Sequence, residues 1–167
     1  MDIRSDYIKP EFRASWSVPM YTVPVILVCD DDRDDQLLIE HAFAEACIEA
    51  KFRFTSDGVE LTEYLQKSDK DGNSLYPDII LLDLNMPRMD GLQALEWIKS
   101  HPHHRAIPVV IYTTSRESKD IQQCYGAGAN SFMTKCSSIE GLVDKVKAFS
   151  KYWTETAELP RLAGCKY

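Results

Sequence analysis

Polar side chains come directly after four apolar segments of strand length. The run Asp30–Asp32 follows the first of these segments, Asp83 the second, Thr113 the third and Lys135 the last. Carboxylates grouped at low dielectric repel one another, so such a group requires a cation. Oxygen ligands without His or Cys favour Mg²⁺ over zinc, and no ligand cage for Ca²⁺ is present. A metal, an ammonium and a hydroxyl around a carboxylate can neutralise and orient a phosphoryl group, with the carboxylate as nucleophile.

Apolar runs of strand length alternate with segments of helical periodicity along the chain. The predicted strands are Val25–Cys29, Lys51–Thr55, Asp78–Leu82, Val109–Tyr112 and Asn130–Thr134. The first, third and fourth are almost continuously apolar, which predicts that they are central and covered by helices on both faces. The alternation favours the α/β class: one doubly wound (βα)₅ domain of flavodoxin-like type, with a central five-stranded parallel sheet. Because the carboxyl ends of parallel strands meet at one edge, the polar groups should face one crevice.

Capping patterns predict where the helices begin. Capping boxes fit Asp57–Glu60, Asp90–Gln93 and Ser137–Glu140, which should open the second, third and fifth helices. The first helix should start just after Asp32 and continue to about Ala50. The fourth should begin after Ser115 and end near residues 126–128. The polar segment 68–74 is predicted to be a loop between the second helix and the third strand.

The composition restricts the class of function and the compartment. Asp and Glu number 26 against 19 Lys and Arg, a formal charge of −7 that argues against a nucleic-acid-binding surface. The five cysteines are scattered without a CxxC pair, which predicts reduced thiols rather than a disulfide framework or a zinc site. No apolar run is long enough for a membrane span, and the charged N-terminus does not fit a secretory signal. A cytoplasmic protein without a membrane or nucleic-acid partner is therefore expected.

These residues together resemble the receiver domain of two-component response regulators, over about residues 25–149. The resemblance rests on Asp30 and Asp31, the segment 83–91 with sequence DLNMPRMDG, Thr113 and Lys135. Separations of 30 residues from Asp83 to Thr113 and 22 from Thr113 to Lys135 keep the family's order. The resemblance implies that residues 25–150 form the receiver domain, between an N-terminal arm (1–24) and a C-terminal extension (151–167).

The same resemblance implies a metal site. Mg²⁺ would be bound by the carboxylates of Asp31 and Asp83 and the backbone carbonyl of Asn85, with Asp30 acting largely through water. The three consecutive aspartates leave the register open by one residue, so Asp31 and Asp32 could form the inner pair instead. We favour Asp30 and Asp31, because the apolar strand then closes before them and Asp32 is free to start the helix.

The resemblance also implies a phosphoryl-transfer role for the strand ends. Asp83 would accept a phosphoryl group from a phosphohistidine on a sensor histidine kinase, and Thr113 and Lys135 would bind phosphoryl oxygens. Phe132 occupies the family's aromatic switch position, three residues before the lysine, and would rotate inward as Thr113 shifts. Such a protein is not an enzyme with an independent substrate, since it has only self-phosphotransfer and autodephosphorylation activity.

The C-terminal part of the chain supports a narrower resemblance. Cys136 follows the lysine where most receivers have proline, so the usual cis bond is absent and the loop should differ in shape. Tyr152 and Trp153 lie beyond the point where most receivers end. These features resemble the small stand-alone response regulators that partner bacterial phytochrome kinases. They imply a homodimer through the fourth helix, fifth strand, fifth helix and C-terminal extension.

Two other functions fit part of the pattern. Phosphatases of the haloacid-dehalogenase type also use a strand-end aspartate, a lysine and Mg²⁺. They need a carboxylate two residues after the nucleophile, where this chain has Asn85. A pseudo-receiver scaffold is the other alternative, and the complete acidic, threonine and lysine set argues against it. The cluster of His101, His103 and His104 is interpreted as a polar loop rather than a metal site, because no carboxylate or Cys accompanies it.

Overall fold

The computed structural model describes residues 23–71 and 76–160, in which strands and helices alternate. The strands are β1 (Val25–Cys29), β2 (Lys51–Thr55), β3 (Ile79–Leu82), β4 (Val109–Thr113) and β5 (Ser131–Thr134). The helices are α1 (Arg33–Glu45), α2 (Gly58–Asp71), α3 (Gly91–Ser100), α4 (Ser118–Gly126) and α5 (Ile139–Ser150). A π-helical segment, Lys151–Thr156, continues from α5. Among the described residues, no helix is both long enough and apolar enough to cross a bilayer.

The five strands form one parallel sheet in the order β2-β1-β3-β4-β5. This order confirms the predicted fold class and places β1, β3 and β4 in the centre. Those three strands are buried along their whole length, as strands covered on both faces must be. The edge strand β2 is largely exposed.

Alternate side chains of the central strands enter two separate hydrophobic cores. Leu27, Ile80 and Ile111 pack on the side of α2, α3 and α4, whereas Val28 and Leu81 pack on the side of α1 and α5. The two-residue period of a strand therefore distributes a nearly continuous apolar sequence to both faces of the sheet. The sheet is fixed between the two helical layers, so its carboxyl edge is a rigid platform.

Helix α1 ends earlier than the sequence indicates. Asp32 caps its start as expected, with its carboxylate accepting a hydrogen bond from Asp34 N–H at 2.8 Å. The predicted end at Ala50 is wrong, because the helix stops at Glu45. Cys47 takes the left-handed conformation with φ of 56°, and Ile48 N–H bonds back to the Phe43 carbonyl. This reversal turns the chain so that it can enter β2 at residue 51.

The other helix starts agree with the predictions to within a few residues. Asp90 and Gln93 form the complete capping box of α3. At α5 the cap is Ser138 rather than Ser137, because the Ser138 hydroxyl accepts from Gly141 N–H. At α2 Asp57 accepts from two backbone N–H groups, but the Glu60 carboxylate reaches back to Ser56 N–H, so the box is displaced by one residue.

Of two segments interpreted as polar loops, one is partly helical and the other is partly buried. Helix α2 continues through Asp71, where the sequence predicted a loop over 68–74. The buried Ser68 hydroxyl bonds to the Tyr64 carbonyl inside the helix, which satisfies its polar group. In the segment that contains the three histidines, His104 is fully buried, and the rings of Trp97 and His101 stack with it at 5.3 and 4.2 Å. Stacking of the flat imidazole faces explains why this polar sequence is partly buried.

Several sequence predictions concern parts of the chain outside the described residues. The N-terminal arm predicted for 1–24 lies there except for its last two residues, and so do 72–74 of the predicted loop. Residues 161–167 of the predicted C-terminal extension also lie outside. Within the described part of that extension, Trp153 packs against the core between the sheet, α1 and α5, while the Tyr152 side chain is 55% exposed.

Gly91 at the start of α3 allows the closest backbone approach next to the sheet edge. A Cβ atom there would lie 2.0 Å from the Asp83 carbonyl oxygen and 2.7 Å from Leu84 Cα. Both neighbours are backbone atoms, so they cannot move aside as a flexible side chain could. We expect Gly91→Ala to lower the free energy of unfolding by about 1–3 kcal/mol, measured by urea denaturation.

Gly126 provides the matched control. It also lies in a helix, and its Cβ would meet no atom within 4 Å. Gly126→Ala should therefore be neutral or slightly stabilising. Equal stabilities for the two alanine variants would contradict a tight backbone contact at Gly91.

Candidate functional site

The predicted site residues lie at the carboxyl ends of neighbouring strands. Asp30 follows β1 and donates its N–H to the Thr55 carbonyl at 3.0 Å. Asp83 follows β3 and donates its N–H to the Cys29 carbonyl at 2.9 Å. These bonds extend the parallel hydrogen-bond pattern by one residue beyond the strands. The two aspartates are therefore held by backbone bonds rather than by flexible loop contacts.

Three carboxylates converge at this edge. One oxygen from each of Asp30, Asp31 and Asp83 lies within 4.8 Å of the others. Asp30 is 1% exposed and Asp83 6%, whereas Asp31 is open to solvent. Asp32 is not in this group, because its carboxylate caps α1. The local geometry thus separates the three consecutive aspartates into a pair that faces the crevice and one that starts the helix.

Lys135, just after β5, brings its ammonium into the acidic group. Its Nζ lies 2.7 Å from Asp30 Oδ2, 2.7 Å from Asp35 Oδ2 and 2.9 Å from Asp83 Oδ2. The lysine side chain is only 8% exposed, and its backbone N–H bonds to the Thr113 carbonyl at 2.8 Å. A buried ammonium with three carboxylate partners is positioned far more firmly than a lysine on the surface.

Burial and ion pairing shift the pKa values of Asp30 and Lys135 in opposite directions. Burial raises the pKa of Asp30 to about 6, although the adjacent Lys135 ammonium opposes the increase. For Lys135, burial alone would lower the pKa, but the three carboxylates outweigh it and raise the pKa above its usual value. The lysine is therefore charged throughout the physiological range, and it compensates part of the cost of burying Asp30.

The remaining sequence-predicted residues lie in β4, in β5 and in the loop after β3. Thr113 at the end of β4 is fully buried, and its hydroxyl accepts a long hydrogen bond of 3.4 Å from Ser115 N–H. Phe132 in β5 is half-buried against the core beneath α3 and α4. Asn85 is exposed in the loop after β3, and its N–H lies 3.4 Å from Asp83 Oδ1. The peptide groups of that loop therefore turn around the Asp83 carboxylate.

An ion-pair network anchors the loop that follows Asp83. Arg88, which has a positive φ of 62°, pairs with the buried Asp57 and with Glu60 at the start of α2. Hydrogen bonds from backbone N–H groups, with Arg88, keep the pKa of Asp57 below its usual value even though burial opposes this. The pairs hold the loop of residues 84–90 against α2 and restrict its movement at the crevice.

Sequence reasoning missed Asp35 and the Arg88 network. Asp35 lies in the first turn of α1, four residues after Asp31, and its carboxylate bonds to Lys135. Its position just past the acidic run, on the first turn of a helix that starts at the same sheet edge, was a usable signal. The partners of Arg88 lie about 30 residues away in sequence, and no local pattern identifies them.

The chemistry of the donor set indicates which ligand the crevice can hold. Three carboxylates with no His or Cys match the oxygen preference of a hard divalent cation. Two of the three carboxylates are buried, so a dication would offset repulsion that water cannot screen. The residues present therefore fit a site for Mg²⁺ or a similar ion next to the Asp83 carboxylate.

Known proteins share both the sequence and the fold. The response regulator receiver domain family matches residues 26–147. The response regulator Rcp1 of Synechocystis is 34% identical over 136 residues, which cover 81% of this chain and 92% of Rcp1. A manganese-bound Rcp1 structure is 33% identical, has a TM-score of 0.74 and covers 83% of this chain and 99% of its own.

Two further solved structures come from related signalling systems. The phosphorylated cyanobacterial phytochrome response regulator RcpA is 35% identical, with a TM-score of 0.77, over 84% of this chain and all of its own. The response regulator RPA3017 of red light signalling in R. palustris is 34% identical, also with a TM-score of 0.77, over 83% of this chain and 99% of its own. These similarities do not favour the haloacid-dehalogenase or pseudo-receiver alternatives. The chain belongs to the response regulator receiver domain family.

Proposed function

We propose that Asp83 accepts a phosphoryl group from a phosphohistidine of a sensor histidine kinase. The observation that carries this proposal is the position of the Asp83 carboxylate, 2.9 Å from the Lys135 ammonium and inside the acidic group. A carboxylate oxygen of Asp83 attacks phosphorus, the phosphorus–nitrogen bond breaks, and its electron pair returns to the imidazole. Lys135 then lies beside the new phosphoryl oxygens and balances part of their charge.

The proposed metal ligands are the carboxylates of Asp31 and Asp83 and the backbone carbonyl of Asn85, with Asp30 acting largely through water. Mg²⁺ suits these donors, and the manganese-bound form of the relative Rcp1 supports a divalent ion in this family. When bound, the cation supplies positive charge for the oxygens of the transferred group. Asp30 and Asp31 would orient it, and the hydrogen bonds from Leu84 and Asn85 N–H hold Asp83 Oδ1 in place.

The proposed signal begins at Thr113 and Phe132. The Thr113 hydroxyl has one long hydrogen bond, so it can exchange this partner for a phosphoryl oxygen at little cost. Its movement would free space for the half-buried Phe132 to turn inward. The new phosphate contacts shift the equilibrium between two conformations of the surface formed by α4, β5 and α5. Self-phosphotransfer from small phosphodonors and autodephosphorylation belong to the same proposal.

The proposed partners are a phytochrome-type histidine kinase and a second copy of this chain. Support for the kinase comes from two relatives: RcpA is a phytochrome response regulator, and RPA3017 is a response regulator of red light signalling. Support for the dimer comes from exposed tyrosines: Tyr125 on α4 is 50% exposed and Tyr152 after α5 is 55% exposed. Aromatic side chains are enriched at protein–protein interfaces relative to the rest of the surface.

Phosphorylation of Asp83 can be tested with acetyl phosphate. The wild-type protein with Mg²⁺ should gain one phosphoryl group, mapped to Asp83 by mass spectrometry after borohydride reduction. Asp83→Asn should abolish the label, because an amide is not a nucleophile, and removal of the cation with EDTA should suppress it. Asp144→Asn, an exposed carboxylate on α5, is the control and should label normally. Undiminished labelling of Asp83→Asn would contradict the proposal.

Dimer formation can be tested by sedimentation with and without beryllofluoride, a mimic of the phosphoryl group. We expect the mimic to increase self-association and Tyr152→Ala to weaken it, because the exposed ring supplies apolar contact area to the second copy. Phe54→Ala is the control, since Phe54 is also exposed but lies on β2 at the opposite edge of the sheet. A strict monomer under both conditions would exclude the dimer and leave the phosphoacceptor role unaffected.

A further inference from the structure

The ammonium of Lys135 contacts one carboxylate that the proposed phosphoryl transfer does not use. Asp30 and Asp83 belong to the acidic group at the sheet edge, but Asp35 does not. Asp35 comes from the first turn of α1, and its Oδ2 lies 2.7 Å from Nζ, as close as Asp30. The lysine is therefore held between the metal-facing carboxylates on one side and a separate helix on the other.

The Asp35 contact lies in a setting where an ion pair has a substantial effect. The lysine side chain is 8% exposed and the Asp35 side chain 30%. The ring of the buried Tyr112 also lies near the ammonium, with its centroid 5.7 Å away. Exposed ion pairs contribute little because water screens them, whereas this pair is largely shielded. The Asp35 carboxylate consequently restrains the position of the Lys135 ammonium.

The charges of the site change when a cation binds, and this change gives Asp35 a distinct role. A dication held by Asp30, Asp31 and Asp83 would neutralise much of the attraction that those carboxylates exert on the lysine. It would also repel the ammonium directly. Asp35 is outside the acidic group, so its attraction for the lysine would persist in the metal-bound state. Of the three carboxylates that pair with Lys135, Asp35 is the one that can keep the lysine beside Asp83 when the cation is bound.

We propose that Asp35 is a positioning residue for Lys135, which holds the ammonium at the phosphoacceptor when the divalent cation is bound. The proposal rests on the phosphoacceptor function of Asp83. Asp35 does not touch the reacting atoms and acts through the lysine. Without it, Lys135 is held by Asp30 and Asp83 alone, competes with the cation for them, and leaves the crevice once the cation is bound. The competition weakens cation binding, and the loss of the ammonium slows phosphoryl transfer.

The first test compares Asp35→Asn with Asp34→Asn, which removes the same charge from the neighbouring exposed residue of the same helical turn. The rate of phosphorylation by acetyl phosphate is measured at saturating Mg²⁺. We expect a loss of about tenfold for Asp35→Asn, the size typical of residues that orient a site from outside it. We expect no significant loss for Asp34→Asn and partial recovery with Asp35→Glu. Equal rates for the two asparagine variants would overturn the proposal.

The second test does not depend on activity. Affinity for Mg²⁺ is measured by calorimetry in a double-mutant cycle that combines Asp35→Asn with Lys135→Met. If Asp35 acts through the lysine, Asp35→Asn weakens Mg²⁺ binding several-fold in the wild-type background and has no effect when the lysine is absent. Equal weakening in both backgrounds would mean that Asp35 contributes only its charge, and the proposal would be wrong.

The position of the lysine can be observed directly by NMR of its ¹⁵N-labelled side chain. In the Mg²⁺-bound wild type, slow proton exchange should make the ammonium signal of Lys135 visible, and Asp35→Asn should remove that signal. A signal that persists unchanged in Asp35→Asn would overturn the positioning role. Failure of the wild type to label on Asp83 would instead refute the phosphoacceptor function. If the wild type labels normally on Asp83 but Asp34→Asn and Asp35→Asn are phosphorylated at the same rate, only the positioning role is refuted.

Discussion

The chemistry of this protein depends on one buried electrostatic balance, between the Lys135 ammonium and the carboxylates that surround it. Nζ has three carboxylate oxygens within 2.9 Å, and two of those carboxylates also face the acidic group at the sheet edge. Burial of the ammonium without the carboxylates, or of the carboxylates without the ammonium, would be strongly unfavourable at a site so poorly exposed to water. The lysine reduces the cost of burying the aspartates, and a divalent cation would reduce it further. Charge that arrives or leaves at Asp83 therefore alters every contact in the cluster.

The rest of the fold keeps that balance in place. Backbone hydrogen bonds tie Asp30 to β2 and Asp83 to β1, while Lys135 N–H bonds to the Thr113 carbonyl of β4. Gly91 lets α3 begin almost in contact with the Asp83 carbonyl, and Arg88 fastens the intervening loop to α2. Few of these contacts involve mobile side chains. The proposed signal starts at the Thr113 hydroxyl, which has a long hydrogen bond, and at the half-buried ring of Phe132.

Much of the fold could be predicted from local patterns because strands and caps have short-range signals. The five strand segments were predicted to within one residue at each end, and the three central ones are apolar runs bounded by polar residues. Helix ends were predicted less well. Helix α1 stops at Glu45 because Cys47 adopts a left-handed conformation, which no local preference of cysteine predicts. The burial of His104 against Trp97 also depends on contacts between rings rather than on composition.

The sequence alone determined which chemical groups stand at the strand ends. The types and order of Asp30, Asp31, Asp83, Thr113 and Lys135 indicated a phosphoryl site, because parallel strands bring their carboxyl ends to one edge. Only the tertiary structure decided how three adjacent aspartates divide between the crevice and the cap of α1. It alone brought Asp35 to Lys135, a contact between residues 100 positions apart. Such a contact is set by how α1 packs beside the sheet and α5, and that packing is a property of the whole core rather than of any segment.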